Sequence, residues 1–193
     1  MKTFFTRMAF LALIASFGLM TALSAAPKPE EKALSPKTGF IAAILSDFDG
    51  VGKKLEDLAG AIPADKYSWS PAKGVRSVGE VYKHVAGANY FFMGFLGVKP
   101  PANAMPDPKD SVASKDQVVK ILKPSLDAIR TVISGLSEKD LDKTTEMFGQ
   151  TVSYRTVLMT EIGHLHEHLG QAIAYARMNN IVPPWTAPEP PAK

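Results

Sequence analysis

Beyond residue 38, apolar residues recur along most of the chain at intervals of three and four, the spacing that puts them on one side of an α-helix. Between Gly39 and Ile62 the stripe is Ile41, Ile44, Leu45, Phe48, Val51, Leu55 and Leu58, which predicts a first helix despite Gly50 and Gly52 in its middle. Ser77 followed by Glu80 has the spacing of a capping box and opens a second helix to about Leu96, with Val81, His84, Val85, Ala88, Phe91, Phe92 and Phe95 facing inward. Ser114 opens a third, striped by Val118, Ile121, Leu122, Leu126, Ile129, Val132 and Ile133; Pro124 should kink it or remove one hydrogen bond. A fourth runs from Tyr154 to Asn179, where Asn179 and Asn180 stop it. Between the third and fourth, SEKDLDK suggests a short helical turn and TTEMFGQTVS an extended pair turning at Gly149. A Pro-rich connection, residues 97–114, separates the second and third helices and is expected near one mouth of the fold. The pattern predicts an all-α protein, an antiparallel four-helix bundle over residues 37–182, with a Pro-rich tail over 183–193 and no internal repeat.

The first 26 residues follow a different grammar. Lys2 and Arg7 precede an apolar run from Met8 to about Met20, and small residues close it at Ala22, Ser24, Ala25 and Ala26. This is the layout of a secretory signal peptide, with an apolar core short for a membrane span. Residues 27–36, rich in proline and charge, read as a flexible spacer. The expected location is periplasmic or secreted, with no membrane association after cleavage. A cut there removes Lys2 and Arg7 and lowers the formal net charge from +3 toward neutrality, so nothing suggests nucleic acid as a partner. The chain has no cysteine, which excludes disulfides, thiolate ligands and a lipid-anchored export signal.

Histidines carry the candidate chemistry. The chain has four: His84 on the second helix, and His164, His166 and His168 on the fourth. Residues four apart on a helix differ by about 40° in direction and about 6 Å in height, so His164 and His168 share a face and can reach one ion. His166, about 200° around from His164, points elsewhere. Such a pair alone is equally a polar strip on a solvated surface. Here Val157, Leu158, Glu161, Leu165, Ala172 and Tyr175 surround it at helical spacing, which turns the pair inward, and His84 is the one titratable group in the inward stripe of the second helix. Three imidazoles predict a divalent transition metal (Zn, Ni, Mn, Fe or Co) with positions left open for water or substrate. Glu161 and Gln171 are spaced to orient a ligand, although Glu161 reads more simply as an exposed helix residue and Gln171 reads equally as either. Trp69, Tyr90 and Tyr154 are candidates to line a pocket, and Glu161 or Asp47 to close the ion's coordination as a fourth ligand.

The segments IPADKYSWSPAKGVRSVGEVYKHVAGANYFF and TEIGHLHEHLGQAIAYARMNNIVPP resemble the opening and closing halves of the DinB-like (YfiT-like) metal-binding bundles. The resemblance covers essentially the whole domain after the spacer. It implies an up-down four-helix bundle, often dimeric, with metal ligands at His84, His164 and His168, and it matches Gly170 and Gln171 to the Gly-Gln that follows the histidine pair. Many members carry two adjacent histidines at the end of the motif; here the first of those positions is Glu167, which is not expected to be a ligand. The better understood members look cytoplasmic and use low-molecular-weight thiols, a supply from which export separates this chain. The expected activity is a metal-dependent hydrolase or transferase acting on an unidentified small molecule. The alternative is a non-catalytic metal- or ligand-binding protein of the cell envelope, and a bundle whose histidines hold no metal is the third reading.

Overall fold

A computed structural model describes residues 39–102, 104 and 114–186, which belong to one compact unit. The signal-peptide and spacer expectations, most of the 97–114 connection and most of the tail lie outside the described residues. The described chain forms α1 (Phe40–Ala61), α2 (Val78–Phe95), α3 (Lys115–Gly135) and α4 (Tyr154–Met178), with a hairpin of β1 (Thr144–Met147) and β2 (Gln150–Ser153) between α3 and α4. Among the described residues no helix is long and apolar enough to cross a membrane.

Local chemistry explains where the helices begin. The Ser77 hydroxyl accepts from the Glu80 amide and the Glu80 carboxylate accepts from the Ser77 amide, so two otherwise orphaned donors at the start of α2 are satisfied reciprocally. Ser114 and Gln117 do the same for α3, and Ser153 caps α4 through the Thr156 amide. At α1 the cap comes from a distance: Glu138, in the 3₁₀ turn Glu138–Asp142, accepts from the Ile41 amide at 3.0 Å. α3 runs from Lys115 to Gly135 with Pro124 inside it.

The apolar stripe of α1 is buried over its whole length, and Val81, Val85, Val118, Ile129, Ile133, Val157, Leu158 and Leu165 meet it in one core. The four-helix bundle is as expected, and its helix directions add detail. Helix α1 packs on α3 and α4, and α2 packs on the same two, so consecutive helices α1 and α2 lie diagonally opposite. Asp49 pairs with Arg130, and Lys115 near the start of α3 reaches the carbonyls of Gly60 and Ile62 at the end of α1, which makes α1 and α3 antiparallel. Phe40 lies by Arg155 and Asp47 by His166, so α1 and α4 run parallel. Asn89 lies beside Glu161, whereas His84, more than a turn earlier, meets His168, two turns later; α2 and α4 are therefore antiparallel. The resulting order is up-down-down-up, rather than the simple alternation that the family resemblance implies. Two parallel neighbours cannot be joined by a tight turn, which accounts for the long connection between α2 and α3.

The hairpin turns at Phe148 and Gly149, both with positive φ (52° and 78°), as a two-residue turn matched to strand twist requires. Because the Ser77 cap starts the helix that carries His84, Ser77→Ala should lower the unfolding free energy by about 1 kcal/mol, read as a drop in urea midpoint at constant m-value.

Candidate metal centre

Three of the four histidines converge. One ring nitrogen from each of His84, His164 and His168 lies within 4.8 Å of the other two, and the rings meet edge to face with centroids 4.5 to 5.0 Å apart. His84 Nε2 and His164 Nε2 are 3.0 Å apart. His166 points away and pairs with Asp47 on the surface at 3.0 Å, as the helical angle predicts.

Burial holds His84 and His164 neutral. Desolvation lowers the pKa of both His84 and His164 to about 4, helped at His84 by the charge of Arg76 and then by His168, and at His164 by the neighbouring imidazoles and then by Arg76. His168 is set by a second mechanism. Its Nδ1 donates to Gln171 Oε1 at 2.8 Å, and Gln171 Nε2 donates in turn to the Tyr175 hydroxyl at 2.9 Å. Proton placement at Nδ1 leaves the Nε2 lone pair of His168 facing the cluster, the tautomer a ligating histidine needs. Gln171 is therefore the orienting residue that spacing left open. The outer nitrogen of His164, Nδ1, is buried with no partner, so no side chain fixes its tautomer.

Glu161 is fully buried, contrary to the reading of it as an exposed helix residue. It also lies outside the histidine cluster, as does Asp47, so neither supplies a fourth ligand there. Instead one Glu161 oxygen sits 2.9 Å from the Asn89 side-chain amide, which is itself fully buried beside Ser125. Desolvation raises the Glu161 pKa to about 8, so the group carries a proton at neutral pH. The Asn89 side-chain nitrogen donates to this Glu161 oxygen and, at 3.2 Å, to the Val85 carbonyl, while its oxygen accepts from Ser125 Oγ at 2.9 Å. The chain ties α4 to α2 and α3 one turn from the histidines.

A pocket of about 800 Å³ opens between α2 and α4, with His84 and His164 in its wall. Arg76, Glu80, Lys83 and Glu167 line one end, Phe91, Phe92 and Phe148 the other, and Gly87 and Gly163 lie between them without side chains. The aromatic residues proposed from sequence lie elsewhere: Tyr90 is buried in the core, Tyr154 packs against the core, and Trp69 sits edge-on against Tyr175, behind His168. Phe91 faces the pocket, 47% exposed, instead of joining the core.

The sequence matches the family model of the DinB superfamily over residues 47–172, which spans α2, α3 and all three clustered histidines. The chain belongs to the DinB superfamily. Within it, the chain is 27% identical over 137 residues to the uncharacterized protein YjoA of Bacillus subtilis, covering 69% of this chain and 87% of that protein. A DinB-like protein from Bacillus cereus superposes with a TM-score of 0.65 at 20% identity, covering 73% of this chain and 93% of the other. YfiT from Bacillus subtilis, described as a probable metal-dependent hydrolase with an unusual four-helix bundle topology, superposes with a TM-score of 0.59 at 14% identity, over 77% of this chain and 94% of the other. At these identities the structures bear on the fold alone. In this DinB chain, the three-histidine group has the donor chemistry to hold a divalent metal.

The buried acid generates a test. Unfolded, Glu161 loses its proton near pH 4.5, whereas folded it keeps the proton to about pH 8, so the native state binds more protons in that window and stability falls as pH rises through it. Metal-depleted Glu161→Gln should lack this contribution. Urea unfolding between about pH 5 and 8 should therefore show the variant gaining on wild type as pH rises; parallel curves would refute a proton held on Glu161.

Proposed function

We propose that this DinB protein is exported and binds one divalent transition metal ion through His84, His164 and His168, and that it is a hydrolase or transferase acting on a small molecule in the α2–α4 pocket. The observation that carries the reading is the convergence of three imidazoles, two of them on the wall of a pocket large enough for a small molecule. Two facing nitrogens at 3.0 Å with lowered basicity cannot both be protonated, and the His168 lone pair adds a third donor, a set that fits a cation of borderline softness. No carboxylate among the described residues joins the group, which favours an open coordination sphere over a closed structural one. Export is supported by the charged, apolar and small-residue sequence of the first 26 residues.

A divalent ion at these nitrogens supplies Lewis acidity, which makes water or a thiol more acidic at neutral pH. The protein's own groups do the rest. Gln171 and Tyr175 hold the His168 ring, and Trp69 packs on Tyr175 to shield that side from water. Phe92 lies against His164, with ring centroids 5.9 Å apart, and keeps one flank of the cluster apolar. Glu80 is committed to the Ser77 amide, which leaves Glu167 as the pocket carboxylate positioned to exchange protons.

Metal analysis of tag-free protein should find about one equivalent of a transition ion after reconstitution, a one-site expectation, and the His164→Ala, His168→Ala double variant should lose it. Equal metal in both proteins would refute the assignment. Replacing Gln171 with Ala should weaken metal affinity by about tenfold to a hundredfold by freeing the His168 ring, measured by competition with a chromophoric chelator; unchanged affinity would show that the Gln171 contact does not orient a ligand.

A further inference from the structure

The pocket is polarised along the bundle axis. On α2, Glu80, Lys83, His84 and Phe91 follow one another along the same pocket wall, so its charged and aromatic ends are separated by roughly 16 Å of helix, with the histidines between them. Arg76, in the loop entering α2, stands at the charged end. Among the described residues it makes no ion pair, and Glu80 beside it is held by Ser77. Its charge nonetheless acts on both His84 and His164. A guanidinium with five donors and no partner, facing a pocket with apolar walls, suits a planar oxyanion held by two hydrogen bonds.

The aromatic end is built at a conformational cost. Phe148 occupies the hairpin turn at φ 52°, a region that bulky residues rarely adopt and where asparagine or glycine is the usual choice. The turn leaves its ring 70% exposed. That ring meets Phe91 and Phe95 with centroids 6.1 and 5.6 Å apart, and with Phe91 it forms an apolar shelf beside the histidines. Two largely exposed phenyl rings gain burial only when something apolar lies on them.

We propose that the pocket selects an amphipathic carboxylate, a small molecule whose apolar or aromatic group rests on Phe91 and Phe148 and whose carboxylate is held by Arg76, so that the bond to be attacked lies beside His84 and His164. This rests on the reading of the pocket as the substrate site. It makes Arg76 and Phe148 specificity determinants that do not depend on the metal.

The test uses 4-phenylbutyrate and its neutral counterpart 4-phenylbutanol as probes, titrated calorimetrically into metal-depleted and metal-reconstituted protein. In metal-depleted protein the acid should bind about fivefold or more tightly than the alcohol. Arg76→Ala should abolish that preference while leaving the alcohol's affinity unchanged. Phe148→Gly, which the backbone accommodates, should weaken both probes about threefold or more. Equal affinity for the two probes, failure of the acid to bind at millimolar concentration, or a preference that survives Arg76→Ala would overturn the proposal. A preference that appears only after reconstitution would assign the carboxylate to the ion and also overturn it. Because the metal-depleted arm reads Arg76 directly, absence of metal from the protein would defeat the functional reading above without deciding this one.

Discussion

His84 Nε2 and His164 Nε2 approach to 3.0 Å across the junction of α2 and α4, and the molecule's chemistry depends on that approach being held. Two neutral imidazoles gain little by facing each other, and burial removes the option of protonating them. What keeps them there is packing. Val81, Val85, Leu158 and Leu165 flank the histidines on their own helices and are fully buried. His168 is added to the pair by a side-chain relay through Gln171 to Tyr175. The cluster is thus preorganised by its surroundings, the condition under which a metal site binds without paying for rearrangement.

A second polar feature lies beside it. The chain from Glu161 through Asn89 to Ser125 crosses three helices where an apolar core would suffice. A buried polar network fixes the register of the helices it joins. Here it fixes α4 against α2 one turn from the histidines.

Much of this was legible in the sequence because helix periodicity and capping are local. The stripe from Ile41 to Leu58, the serines at 77 and 114, and the pair at 164 and 168 each announce themselves within a few residues. The inward face of α4 likewise contains Glu161, four residues from both Val157 and Leu165; its charge argued for exposure, and the raised pKa that reconciles charge with burial follows only from the surrounding helices. Helix direction was hidden because it is decided by contacts such as Asp47 with His166, far apart in the chain. The pocket's walls were hidden for a related reason. Arg76 and Phe148 lie in a loop and a turn, which have no period to read, and Phe91 lies at the edge of its stripe, where burial depends on what faces it. Trp69 has a place near the site, behind His168 rather than in the pocket.

The central claim is that three imidazoles share one ion. X-ray absorption at the metal edge of the reconstituted protein addresses it most directly. The account predicts three imidazole nitrogens at about 2.0–2.1 Å for zinc, with outer-shell scattering from the rings that disappears in the His164→Ala, His168→Ala double variant. A light-atom shell without the imidazole signature, or a spectrum unchanged in that variant, would contradict it.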